Sequence, residues 1–257
     1  MWTLTQADSI SRSRFRQGAA QEYPQQKGWG FTHMINVAID GPSGAGKSSI
    51  SREAARRLGF VYVDTGAMYR AAALYVMQHR IDPDDAEKVG SILPMLDIEL
   101  KYEDGEQKIY LCGENVSRVI RTREVTRCAP IVSAIPKVRQ CLSDMQQEIA
   151  RTSNIIMDGR DIGTVVLPNA QVKIFLTASP EVRAQRRYKE LLEKGMEADY
   201  DVVLADIKER DYFDTHKPIS PLRPAKDSIM IDTSEIDFEQ SVQLVVDTIK
   251  NKLDSLA

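Results

Sequence analysis

A chain of 257 residues, 42% hydrophobic and 28% charged, is sized for one large domain or a core with an inserted piece, and it can bury that core without staples. Its net charge of −3 gives no electrostatic case for a nucleic-acid groove or a membrane surface. Three cysteines (Cys112, Cys128, Cys141) share no metal or redox spacing and no apolar run approaches membrane-span length, so the expected setting is the cytoplasm. Residues 1–33 mix Gln, Ser, Arg and Gly with both tryptophans, Trp2 and Trp29, without periodicity. Met34 directly precedes the first strand-like run, so residues 1–33 are expected to be a non-native or leader extension, disordered, ahead of a core over 34–257. A transit peptide is the alternative, set by Arg12, Arg14 and Arg16 among serines. Acidic residues and the missing amphipathic face speak against it.

The core opens on Ile35-Asn36-Val37-Ala38-Ile39-Asp40, an apolar run that ends in Gly41-Pro42-Ser43-Gly44-Ala45-Gly46-Lys47-Ser48 and continues as a helical pattern from Ser49 to Leu58. Strand, glycine-rich turn and helix in this order are the context that G-x-x-x-x-G-K-[ST] requires. The glycines let successive N–H groups point at phosphate oxygens, and the helix turns its positive end to the same anion. Gly41 to Ser49 are therefore expected to hold ATP, with Lys47 at the β/γ-phosphates and the Ser48 hydroxyl in the shell of Mg²⁺.

Further strand-like runs follow at Phe60–Val63, Asn154–Met157, Val172–Leu176 and Ser228–Ile231, separated by helical patterns. That alternation predicts an α/β fold with a parallel sheet flanked by helices. Ile98–Tyr102 and Lys108–Leu111 around Asp104-Gly105 read instead as a hairpin, so an inserted small α+β subdomain is expected at about residues 92–133. Each core strand ends in polar residues, where open α/β sheets bind ligands. The last helix, Phe238 to Leu253, has plain amphipathic spacing.

Phosphate loops serve switches and kinases alike. No aspartate here has a glycine three residues later, so the D-x-x-G element of a regulatory GTPase is missing. Asn251-Lys252-Leu253-Asp254 matches a guanine-reading pattern but lies in the terminal helix rather than after a strand, and is taken as coincidence. Arginines at separated points (Arg70, Arg139, Arg160, Arg183, Arg186, Arg187, Arg210) suit a second anionic substrate, because the guanidinium fork matches phosphate oxygens. A nucleotide kinase is the class this points to.

From Ile35 to the C-terminus the chain resembles the bacterial cytidylate (CMP) kinases. The resemblance is carried by Ala38–Ser48, Asp64-Thr65-Gly66-Ala67-Met68-Tyr69-Arg70, Pro136-Lys137-Val138-Arg139, Met157–Val166, Ile207–Asp211 and Ile219–Leu222. It implies a phosphate-loop nucleoside monophosphate kinase fold acting on ATP with CMP or dCMP; with no exposed apolar stripe evident, a monomer is expected. It also implies that Thr65, Tyr69 and Arg70 hold the monophosphate, and that Arg139, Arg160 and Asp161 surround the cytosine. Arg210 and Asp214 correspond to a ribose-contacting pair. For Tyr69 the alternative is core packing; for Arg160 with Asp161, a surface ion pair; for Arg210 with Asp214, an i,i+4 helix pair. Two positions depart from the family: Pro130 stands where a serine is usual, with Ser133 as substitute, and Lys217 stands where an arginine is usual and loses the fork.

On the donor side, Ser179-Pro180-Glu181 reads as a capped helix start. The resemblance makes about 183–200 a lid that closes over ATP, bringing Arg183 and Arg187 to neutralise charge beside Lys47. A solvated basic helix is the plainer reading of that stretch. Asp64 is expected to hold Mg²⁺ through water. A kinase for another small acceptor such as UMP, or a phosphate-loop switch, remain the competing classes.

Overall fold

The computed structural model describes residues 33–103 and 106–256. But for His33, the expectation for residues 1–33 lies outside the described residues, as does the Asp104-Gly105 turn. The first elements are β1 (Asn36–Asp40), α1 (Lys47–Leu58), β2 (Val61–Asp64), α2 (Thr65–Gln78) and α3 (Ala86–Ile92). Then come β3 (Ile98–Glu103), β4 (Glu106–Leu111), β5 (Glu114–Asn115), α4 (Arg123–Ser133) and α5 (Pro136–Thr152). The chain closes with β6 (Ile155–Gly159), a π turn (Ile162–Val166), β7 (Val172–Thr177), α6 (Pro180–Glu193), α7 (Tyr200–His216), β8 (Ile229–Asp232) and α8 (Phe238–Asp254). The chain divides into two compact units, one of them Thr65–Ile149 and the other built from the segments on either side.

The flanking segments form a five-stranded sheet in the order β2-β6-β1-β7-β8. Every neighbouring pair in it is parallel. The expected parallel α/β core is what the structure has. β1 and β6 are buried almost throughout, which is why both read as unbroken apolar runs rather than alternating ones. The register sets Ile39 beside Asp158, Asp40 beside Gly159, and Asp64 beside Asp158, so three carboxylates gather at one end of the sheet.

α1 ends at Gly59, a left-handed C-cap that accepts no side chain cheaply. Its buried Ile50, Ala54, Ala55 and Leu58 join one core cluster with Val242, Val245, Val246, Ile249 and Leu253 of α8 and the inner residues of β1, β6 and β7. α8 itself starts in a capping box between Asp237 and Gln240. A smaller cluster of Ala184, Val203 and Ile207 holds α6 against α7.

In the Thr65–Ile149 unit, α2 buries Ala67, Met68 and every residue from Ala71 to Val76, which fits its lack of a polar face. β3, β4 and β5 form the antiparallel sheet expected there, with Ile98 opposite Leu111 and Glu103 opposite Glu106. The stretch expected as an insert, about 92–133, lies inside this unit. Among the described residues no helix is long and apolar enough to cross a membrane.

The N-K-x-D look-alike in α8 has Asn251, Lys252 and Asp254 exposed and Leu253 fully buried. Leu253→Ala should therefore lower stability by about 2–5 kcal/mol in urea unfolding. Asn251→Ala should leave both stability and ATP-over-GTP preference unchanged in the same preparations.

Candidate active site

The phosphate loop leaves the sheet at its central strand. A Cβ on Gly41 would lie 1.9 Å from the backbone oxygen of Leu176 on β7, so any other residue there would push the loop off the sheet. Gly46, at φ 82°, is the N-cap from which α1 departs, so the helix N-terminus faces the loop. Lys47 is 6% exposed and its Nζ donates to the Pro42 carbonyl at 2.6 Å. Burial pushes its pKa well below the ordinary lysine value, and Arg160 adds to that; Asp158, Asp40 and Asp214 oppose it.

Ser48 donates its hydroxyl to Asp158 Oδ2 at 2.8 Å, and the Tyr62 hydroxyl donates to Asp158 Oδ1 at 3.0 Å. Burial and the neighbouring Asp64 raise Asp158 to about 6, against the pull of Lys47, Ser48 and Tyr62. Asp64, expected at the metal, is buried on the adjacent strand. Asp158 lies within the Met157–Val166 motif, but the sequence alone assigns it no role. Its signal was the same as that of Asp64, a carboxylate closing a buried strand, but only the register puts it against Ser48.

Asp40 is the second such residue. It is buried, accepting from the backbone N–H groups of Ile162 and Gly163 at 2.8 Å each. Burial raises its pKa to about 6, the two backbone bonds oppose the rise, Asp161 adds to it and Lys47 lowers it. Asp161 itself is buried at the head of the π turn. Arg160 donates from Nε to Asp214 Oδ2 on α7 at 2.9 Å, so the structure joins a residue expected at the base to one expected at the ribose. Arg210 is exposed on α7, and Lys217 is half-buried just beyond it.

Arg183, expected at the lid, is 2% exposed; its Nε donates to the Ala178 carbonyl at 2.8 Å and Nη1 to the Ser43 carbonyl at 3.0 Å. Both Nη atoms also grip the Asp211 carboxylate. A guanidinium so engaged braces the phosphate loop against α6 and α7. Asp211 was legible only as the acidic neighbour of Arg210. Arg187 lies at the surface beside Glu190, 2.8 Å away. Arg186 donates to the Thr233 carbonyl at 2.6 Å.

In the Thr65–Ile149 unit, Thr65 opens α2 and is buried, while Tyr69 and Arg70 are half-buried one turn on. Arg139 is buried on α5 with its guanidinium carbon 5.7 Å from the Tyr69 ring centre, a cation–π distance that brings two expected substrate residues together. Ser133 ends α4 and donates to the Pro130 carbonyl at 2.9 Å, an ordinary turn-back within its own helix.

A family model described as Cytidylate kinase matches residues 37–251. A cytidylate kinase from Caldicellulosiruptor bescii is 50% identical over 83% of this chain and 94% of that protein. One from Ligilactobacillus salivarius is 46% identical over 85% and 97%, and one from Streptococcus gordonii 46% over 86% and 99%.

Asp40 also sets a pH dependence. Its folded pKa of about 6 stands above the ordinary aspartate value of 3.8, so the folded chain takes up this proton first. The stability it contributes is complete below about 3.8 and is lost as pH rises through about 6. Asp40→Asn should remove about 2–3 kcal/mol from the difference in unfolding free energy between pH 4 and pH 7.5, read from urea midpoints at both values.

Proposed function

The chain belongs to the cytidylate kinase family, and we propose that it transfers the γ-phosphoryl group of ATP to the phosphate of CMP or dCMP, giving ADP and CDP or dCDP. The observation that carries this reading is identity of 44–50% to cytidylate kinases over most of the chain. The match includes both the phosphate loop and the Asp158–Val166 segment.

The loop residues Gly41 to Ser49 bind the donor phosphates through backbone N–H groups, with Lys47 beside the transferring group. Ser48, Asp158 and Asp64 present a hydroxyl and two carboxylates, an all-oxygen set that suits Mg²⁺ held partly through water. When bound, that ion neutralises phosphate charge. The acceptor phosphate is already an anion, so an oxygen of CMP attacks the γ-phosphorus without a strong general base and ADP leaves in line. What the protein supplies is position and positive charge.

Thr65, Tyr69 and Arg70 hold the acceptor phosphate in this reading, with Arg139 stacked over Tyr69. Asp161 accepts from the cytosine amino group, a donor that uracil lacks. Arg160, tied to Asp214, faces the same nucleotide, and Arg210 and Lys217 contribute charge near the ribose. Arg187 is the lid arginine able to change partners, because its present bond to Glu190 is at the surface. Arg183 acts through the loop it braces. The chain works as a cytoplasmic monomer on free nucleotides, a reading supported by its mild net charge and free cysteines.

The test is ADP release from Mg-ATP with CMP, dCMP, UMP, AMP, GMP, shikimate or no acceptor. Turnover should require CMP or dCMP, and Asp161→Ala should cut kcat/KM for CMP by about 100-fold, the scale of a lost hydrogen bond to a charged group. Equal ADP release without acceptor would overturn the kinase reading and favour a nucleotide-hydrolysing switch.

A further inference from the structure

Asp40 closes β1 one residue before the phosphate loop, and beyond its charge near Lys47 no role assigned above uses it. Its Oδ1 accepts from the Ile162 N–H and its Oδ2 from the Gly163 N–H, both at 2.8 Å, so each carboxylate oxygen holds one of two consecutive peptide groups. Those peptides are the first two of the π turn Ile162–Val166, and Asp161 stands immediately before it at φ −145°, ψ 25°. The turn closes back on Asp161, whose carbonyl accepts from the Val165 N–H at 2.9 Å. Two fixed bonds define an orientation as well as a distance.

Gly163 also packs against this carboxylate and the Lys173 side chain. A Cβ on Gly163 would come within 3.2 Å of Lys173 Cδ and 3.5 Å of Asp40 Oδ2. Short turns of this kind inside or beside regular structure recur at functional sites. Asp40 and Asp161 are both buried and both acidic. The two N–H bonds therefore hold a carboxylate near a second one that it would otherwise repel.

We infer that Asp40 is a positioning residue for base recognition: by gripping the Ile162 and Gly163 peptides it sets the direction in which Asp161 meets the cytosine. This rests on the reading of Asp161 as the residue that accepts from the base. A competing use of the same geometry is to brace the phosphate loop, since Gly41 follows Asp40 directly. The two uses move different kinetic parameters.

Initial rates are measured with ATP and acceptor varied separately, for CMP and for UMP, in the unmodified chain, Asp40→Asn, Gly163→Ala and the double variant. An asparagine keeps the shape but offers one acceptor where the carboxylate offers two, so one of the N–H bonds is lost. Asp40→Asn should raise KM for CMP about tenfold or more and lower the CMP-to-UMP ratio of kcat/KM by a similar factor. KM for ATP should stay within about twofold. Gly163→Ala, which adds a methyl against Lys173 Cδ and Asp40 Oδ2, should shift the same ratio, and the double variant should be no worse than the more affected single one, because both act where Asp40 meets the turn. If Asp40→Asn does not fold, Asp40→Glu, which keeps the charge and displaces both acceptors by one methylene, decides by that ratio.

A rise in KM for ATP with the CMP-to-UMP ratio intact would overturn the inference in favour of loop bracing. A unmodified chain lacking CMP-dependent turnover would overturn the activity and the inference together, whereas normal turnover with an unmoved ratio in the variants would overturn the inference alone.

Discussion

The rest of this site depends on burying one ammonium group. Lys47 sits at the end of the central strand with almost no exposure, where solvation by water is lost and its charge is expensive. Asp158, Asp40 and Asp214 supply the compensating field, from β6, β1 and α7 respectively. They do so at a cost to themselves, since Asp158 and Asp40 are each raised to about 6 by the same burial. A triphosphate in the loop adds negative charge in the direction that favours protonated Lys47. The empty-handed chain is thus electrostatically less settled than the loaded one, and nucleotide binding is favoured by relieving that imbalance. Sites of this kind hold less stability than a plain apolar core would give, in exchange for a binding field already in place.

The core around the site was legible in advance because each strand announces itself. Ile155-Ile156-Met157 and Val172 to Leu176 are buried on both faces, so they show as apolar runs, and the turn residues that close them mark the binding end. α8 was legible for the opposite reason, as Val242, Val245, Val246, Ile249 and Leu253 keep helical spacing and enter one cluster. The π turn at Ile162–Val166 was not. It is five residues without apolar periodicity of its own, fastened by a carboxylate more than 120 residues upstream in the chain. No local pattern records such a bond.

The same distinction sorts the functional residues. Gly41, Lys47 and Ser48 belong to a contiguous motif whose spacing carries the chemistry, so reading them required no register. Asp158 needed the register of β6 against β1 and β2 before its contact with Ser48, 110 positions away, could be seen. Spacing along one helix also leaves partners from other elements unseen. Asp214 reads along α7 as a partner for Arg210, four residues back, and its carboxylate accepts from Arg160, 54 residues upstream. Ser133 reads as a substitute for the family's serine, yet its hydroxyl returns to the Pro130 carbonyl.

The arginines show why counting charges is weaker than placing them. Seven separated arginines suggested a second anionic substrate, and that suggestion treats every guanidinium as free to meet a phosphate. Arg183 is not: its donors are spread over two carbonyls and one carboxylate, on the loop, the strand end before α6, and α7. Releasing it would strand Asp211 and two buried carbonyls, a penalty far larger than breaking the exposed Arg187–Glu190 pair. Buried arginines with satisfied forks hold the geometry of the loop, and those at the surface with one weak partner are the ones that can move to a substrate. That division follows from desolvation alone, and it makes Arg183 a brace that ties the phosphate loop to α6 and α7.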